Sequence, residues 1–242
     1  MYIKVILETD RDDFCLPGLI YQEKLEAGRR LLLFEASPPE ARLRSLGEII
    51  EVSKTEPDLL KLGSGLAISP LGPPAPDRLV IKTGGAFGSG FHPTTRLCLE
   101  ILDALPPAPG VALDLGTGTG ILALLLAHKG WARVLAVDVD PKAVAVLKHN
   151  IEQNGLGGRV FPLLGDLTAL KGPFSLVVAN LYLRLLIPGA VHIRSLLASG
   201  GRLVLSGFLA SSLPAVKRAY AGLIPAKELV YQGWAAVSFV IP

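Results

Sequence analysis

Five apolar runs, VALDLG, RVLAVDV, RVFPLLG, FSLVVAN and GRLVLSGF, punctuate the second half of this chain, with helical patterns around 121–129, 141–154, 184–197 and 212–222 between them. Runs so continuously apolar leave no face for water. They predict parallel strands joined by crossover helices that cover the sheet on both sides. In such a sheet, ligands bind outside the carboxyl ends of the strands. The loops that follow these runs are therefore where function is sought.

Composition sets the remaining bounds. The chain has 242 residues, enough to bury a sizeable core in one or two domains. Half of it is hydrophobic, yet no stretch of ~18 uncharged apolar residues occurs, so no membrane-spanning helix is expected. The start, MYIKVILETDRDD, lacks the basic opening and small-residue cleavage site of a signal peptide. Cys15 and Cys98 are too few for a disulfide framework or a zinc site, so a reducing cytoplasmic location and no metal are expected. Charge divides unevenly. Residues 1–70 carry 9 Lys/Arg against 12 Asp/Glu, and residues 71–242 carry 15 against 9.

The stretch SPLGPPAPD (Ser69–Asp77) holds four prolines in nine residues and reads as a stiff boundary. It predicts a small α/β N-terminal domain at 1–70, a linker at 71–78 and a larger domain at 79–242. Within the first, YIKVILE, RRLLLFE and GLAIS read as strands, and PPEARLRSLGEII opens as a short helix with proline at its start.

Two glycine-rich loops stand out, GGAFGSGFHPTTRL at Gly84–Leu97 and LDLGTGTGIL at Leu113–Leu122. The second follows a strand and opens a helix, and Gly116, Gly118 and Gly120 let its backbone turn tightly and approach a ligand. A nicotinamide-binding loop has the same layout, but its third glycine belongs one position later, at Ile121. Asp114, two residues before Gly116, would repel a pyrophosphate and would attract the cationic amino group and sulfonium of S-adenosyl-L-methionine. Asp138 ends the next strand, 22 residues after Gly116, where an acid can accept both ribose hydroxyls. Taken together these features favour S-adenosylmethionine over NAD. Asp166 ends the following strand and is either an acceptor for the adenine amino group, with Leu167 against the ring, or a plain turn residue.

The blocks GGAFGSGFHPTTRLCLEIL, LDLGTGTGILALLLAHKG, VDVDPKAV, VVANLYLRLL and GGRLVLSGFL resemble, in order and spacing, the ribosomal protein L-eleven methyltransferase family, through most of residues 79–220. The resemblance implies a Rossmann-like, seven-stranded S-adenosylmethionine-dependent methyltransferase domain behind a small substrate-recognition domain. It implies that AFGSG covers the methionine end of the cofactor and that Thr95 touches it. A helix start at Pro93–Thr95 is suited to a carboxylate, offering free N–H groups and a partial positive charge. His92 reads as a structural anchor of this loop rather than a base.

By the same resemblance Asn180 is both the catalytic residue and a cofactor neighbour, its side chain and the next carbonyl orienting an amine. Asn180-Leu181-Tyr182 departs from the Asn-Pro-Pro-Tyr of enzymes that methylate planar nitrogens. Methyl transfer from a sulfonium needs no acid, but the amine must be neutral, against a pKa of ~10.4 for lysine and ~8 for an α-amine in water. The implied partner is a basic ribosomal protein docked by the acidic front segment, with no direct nucleic-acid binding, no membrane contact and a monomeric chain. The front segment is shorter than the family's, and KTGGAFG replaces its aspartate-proline-glycine lead-in. A small-molecule methyltransferase with the same catalytic domain is the alternative.

Overall fold

The computed structural model describes residues 2–11, 16, 19–24, 27–34, 38–55, 60–70, 72–83, 86–88, 90 and 92–242. Cys15 and the loop residues Gly84, Gly85, Ser89 and Phe91 lie outside the described residues.

The front of the chain forms β1 (Tyr2–Glu8), β2 (Leu19–Lys24), β3 (Arg29–Phe34), the short helix α1 (Glu40–Arg44) and β4 (Glu48–Thr55). They make an antiparallel sheet in the order β2-β3-β1-β4. Val5 and Leu7 of β1 meet Leu32 and Phe34 of β3 and Leu43 of α1 in a core of their own. β2 and β4 are strands that the sequence pattern did not separate, because LIYQEK ends in three polar residues and EIIEVSKT carries a charge at every third position.

Three short strands follow: β5 (Leu60–Lys61), β6 (Ala67–Ser69) and β7 (Arg78–Val80), paired in one small sheet. The proline-rich stretch Ser69–Asp77 thus connects β6 to its own parallel partner β7. Leu60, Leu66 and Ile68, expected to belong with the front domain, pack in the same core as Leu99 and Leu102. The packing changes hands between Thr55 and Leu60, some ten residues before the prolines.

The remainder is α2 (Pro93–Ala104), β8 (Val111–Leu115), α3 (Ile121–His128), β9 (Arg133–Asp138), α4 (Pro141–Gln153), β10 (Val160–Leu164) and β11 (Phe174–Asn180). There follow α5 (Leu183–Leu186), α6 (Ala190–Ser195), β12 (Leu197–Leu209), α7 (Leu213–Ala219), β13 (Ile224–Tyr231) and β14 (Trp234–Val240). Seven strands form one sheet in the order β10-β9-β8-β11-β12-β14-β13, parallel except for β14, which runs antiparallel to both neighbours. Strand alternation serves two cores. Leu176 and Val178 face the cluster beneath α2, α3 and α4, and Val177 and Ala179 face the cluster beneath α5, α6 and α7. Every residue from Ile121 to Ala127 is buried, as expected of a helix enclosed on all sides.

The helix expected at 184–197 is instead two short ones, because Pro188 cannot donate to the helical ladder and Gly189 follows it. From β8 the chain winds outward to β9 and β10, then returns to place β11 on the other side of β8. The order of connection reverses there, and the crevice at the carboxyl ends of β8 and β11 is where such sheets hold ligands.

Candidate functional site

Four of the residues singled out from sequence stand at that edge of the sheet: Asp114 in β8, Asp138 at the end of β9, Asp166 just past β10, and Asn180 at the end of β11. The loop after β8 is pinned to β9, with the N–H groups of Gly116 and Thr117 both donating to the Val137 carbonyl at 2.9 and 3.0 Å. Gly116 and Gly118 adopt φ of +67° and +55°. Their lack of a side chain is also a matter of space. A Cβ on Gly118 would lie 2.2 Å from the Phe87 carbonyl oxygen, and one on Gly116 would lie 2.3 Å from Leu181 Cδ2.

The two glycine-rich loops are bonded to each other. Thr119 N–H donates to the Phe87 carbonyl at 3.0 Å, and the Thr119 hydroxyl donates to the Gly88 carbonyl at 2.6 Å. The first loop then enters α2 through His92, whose Nδ1 accepts from the Thr94 N–H at 3.3 Å. His92 therefore caps the helix, the structural role expected of it, and Pro93 takes the first helical position. Its ring sits edge-on to Phe87 and Trp234, with centroids 5.2 and 5.0 Å away, and burial pushes its pKa below the usual histidine value.

Asn180 and Thr95 meet directly, Asn180 Nδ2 donating to Thr95 Oγ1 at 3.3 Å. Thr95 is almost fully buried. Asn180 Oδ1 is shielded from solvent and has no partner among the described residues. A buried acceptor at the carboxyl end of a central strand is suited to an N–H donor.

Asp114 has a similar asymmetry. Its Oδ2 accepts from the Thr117 hydroxyl at 2.6 Å and from the Ala123 N–H at 3.1 Å, and its Oδ1 is buried without a partner among the described residues. Burial pushes its pKa up to about 7, opposed by those two donors and aided by the negative charge of Asp138. Beside it, the Cys98 thiol is pushed far up by burial and by the Asp114 charge, which makes it an inert part of the core.

Asp138 is the brace of the glycine loop: Oδ2 accepts from Gly118 N–H at 2.9 Å and Oδ1 from Asp140 N–H at 3.0 Å. The cap of α4 is its neighbour Asp140, which accepts from Lys142 N–H at 2.8 Å. Asp166 lies apart from these groups. It caps a short turn through Thr168, whose N–H and hydroxyl lie 2.8 and 2.7 Å from Oδ1 and hold the carboxyl below its usual range. Leu167 is half-buried, and its carbonyl accepts from His192 Nε2 at 2.8 Å.

Sequence reasoning passed over Thr119, Asn150 and Asn154. Asn150 lies on the buried stripe of α4 with Ala143, Val144, Leu147 and Ile151, and a polar residue in an apolar register was the available signal.

With this geometry in place, comparison with known proteins is decisive: residues 59–241 match the family described as Ribosomal protein L11 methyltransferase (PrmA). The chain belongs to this family. Its PrmA match begins where the second core begins, at the start of β5. A relative named Ribosomal protein L11 methyltransferase in Dechloromonas aromatica (strain RCB) is 34% identical over 99% of this chain and 79% of its own length. Another of that name, in Pelobacter propionicus, is 42% identical over 72% of this chain and 58% of its own length. With the Geobacter sp. (strain M21) relative, 38% identical, the matched part is 55% of that protein, so the chain spans little more than half the length of several PrmA relatives. Among solved structures, ribosomal protein L11 methylase from Lactobacillus delbrueckii subsp. bulgaricus superposes with a TM-score of 0.67 at 26% identity, covering 75% of this chain and 97% of that one. An RNA methyltransferase from Salinibacter ruber, in complex with S-adenosyl-L-homocysteine, shares the fold at a TM-score of 0.50 and 20% identity, over 62% of this chain and 92% of that one.

Proposed function

We propose that this PrmA-family chain is an S-adenosyl-L-methionine-dependent N-methyltransferase acting on a lysine side chain or α-amino group of a ribosomal protein. The observation that carries the reading is Asn180, held by Thr95 at the reversal point of the sheet with its Oδ1 lacking a donor.

The residues present fit the cofactor. Gly116, Gly118 and Gly120, all at positive φ, let the loop after β8 turn tightly against Leu181, Phe87 and Leu147. Asp114 has an unpartnered buried oxygen for a cationic group, and Asp138 lies beside the loop for the ribose. Thr95 at the start of α2 would hold the methionine end, and Leu167 beyond β10, with Asp166 before it, the adenine end. When bound, S-adenosylmethionine supplies a methyl group on a cationic sulfur that departs as a neutral thioether, so the chain has no leaving group to protonate.

What the chain supplies is position and dryness. Asn180 Oδ1 accepts one N–H of the incoming amine and aims its lone pair, while its own amide stays fixed on Thr95. The apolar surroundings favour the neutral amine, whose proton passes to solvent before attack. We place the boundary of the substrate-docking unit before β5, with residues 1–55, which carry 10 Asp/Glu against 8 Lys/Arg, meeting a basic protein partner, in a monomeric cytoplasmic enzyme without nucleic-acid binding of its own. No helix among the described residues is long and apolar enough to cross a membrane.

The reading is tested by calorimetric titration of the intact chain with S-adenosylmethionine and NAD in parallel. Saturable heat with the first alone is expected, and binding of NAD alone would overturn it. A docking role for the acidic front predicts that methylation of the protein substrate weakens as salt rises while cofactor affinity stays level.

A further inference from the structure

Thr119 and Asn150 share a role that neither the sequence pattern nor the family match assigns. Asn150 is fully buried in the middle of α4 and spends its whole amide on backbone. Its Oδ1 accepts from Lys82 N–H at 2.9 Å, and its Nδ2 donates to the Lys82 carbonyl at 2.8 Å and to the Thr119 carbonyl at 2.9 Å. One turn on, Asn154, the residue that ends α4, does the same for Val80, accepting from its N–H at 2.8 Å and donating to its carbonyl at 2.7 Å. Residues two apart in an extended segment repeat at nearly the spacing of residues four apart on a helix. Two asparagines on one helix face therefore stand in for a neighbouring strand, and they hold the segment leading into the first glycine-rich loop.

The far end of that segment returns to the same place. Thr119 uses its N–H for Phe87 and its hydroxyl for Gly88, and its carbonyl receives Asn150. Thr119 thus holds Phe87 and Gly88 directly and is joined to Lys82 through Asn150. A Cβ on Gly88 would come within 2.9 Å of Thr119 Oγ1, so the approach is close.

We propose that Thr119 and Asn150 form a latch that holds Phe87 and Gly88 against the loop after β8 and so sets how long the cofactor stays bound. The proposal rests on the reading of that loop as a cofactor cover. Both are positioning residues, Thr119 acting through Phe87 and Gly88 and Asn150 through Lys82 and the Thr119 carbonyl, rather than on the reacting atoms.

The test uses the full chain with S-adenosylhomocysteine as probe, reading its release rate in stopped flow and amide hydrogen exchange at residues 86–90. Thr119→Val keeps the shape and the N–H bond to Phe87 but removes the bond to Gly88. Release should quicken by about fivefold to tenfold, the loss expected of one hydrogen bond, with faster exchange at Gly88 and Gly90, and Thr119→Ser should restore both. Asn154→Ala loses contacts to Val80 without touching Thr119, so it should lower the melting temperature and leave release unchanged. Equal release rates in wild type and Thr119→Val, or equal acceleration by Asn154→Ala, would overturn the latch while the cofactor reading stands. A wild-type chain that fails to bind S-adenosylhomocysteine at all would overturn the cofactor reading and the latch with it.

Discussion

The Asn180 amide donates to the Thr95 hydroxyl across 3.3 Å, joining two residues 85 positions apart in the chain. This bond ties the end of β11 to the first turn of α2. It also fixes which face of the Asn180 amide is left open, because the Oδ1 is the atom without a donor.

Asn180→Ala should therefore lower the methylation rate by about a hundredfold while changing S-adenosylmethionine affinity by less than about threefold, since the lost interaction orients the amine in the transition state. Rate and affinity are read in the same preparation, by turnover and by calorimetry. An equal loss in both would make Asn180 a binding or structural residue.

Asp138→Ala removes the proposed ribose acceptor and also the carboxylate that holds the Gly118 N–H. Cofactor affinity should fall by roughly 1–3 kcal/mol, the cost of leaving polar partners unpaired. Calorimetry that returns the wild-type affinity for a folded variant would remove Asp138 from the site.

Gly118→Ala introduces a Cβ 2.2 Å from the Phe87 carbonyl, at a φ that side chains rarely adopt. The two glycine-rich loops must part. Cofactor binding should fall by at least about tenfold, together with a loss of stability on the order of 1–3 kcal/mol from strain at that φ. Thermal melting and titration that match the wild type would show that the close approach of the two loops is dispensable.

Asp114 ties stability to pH in an unusual direction. Its pKa in the folded chain lies at about 7, above the value of 3.8 for an ordinary aspartate, so the folded state holds a proton that the unfolded chain has already released. The corresponding stability is fully present below pH 4 and is lost as pH rises toward 7. Asp114→Asn cannot ionise, so it should flatten this part of the stability curve, by an amount on the order of a few kcal/mol. Denaturant melts at pH 5 and pH 7.5 measure the difference. A variant whose pH slope equals that of the wild type would show that Asp114 is ionised throughout.

How much of this was legible beforehand depends on where the partners lie. The five parallel strands and the helices α3 and α4 were readable because their apolar periodicity is local. β13 was not, since Ile224–Tyr231 is an edge strand with mostly exposed residues, and the 184–197 pattern hid a break at Pro188 that periodicity alone ignores. Strand-end residues such as Asp138 and Asn180 could be found because the topology itself directs loops to one edge. Asn150 was marked only by its polar side chain in an apolar register, and what it and Thr119 hold could not be read, because their partners are backbone groups and Asn150 reaches Lys82 across 68 positions. The proline-rich boundary misled for a related reason: Ser69–Asp77 has the composition of a linker, and only the pairing of β6 with β7 shows what it connects.

The central claim is transfer of a methyl group from S-adenosylmethionine to an amine of a ribosomal protein, and its most direct test is incubation of the intact chain with methyl-labelled cofactor and total ribosomal protein. The account predicts one dominant labelled protein band, with label on lysine or α-amino nitrogen after hydrolysis, and its disappearance with Asn180→Ala. Label that appears only in a small metabolite fraction from the same cells, with no ribosomal protein labelled, would contradict it.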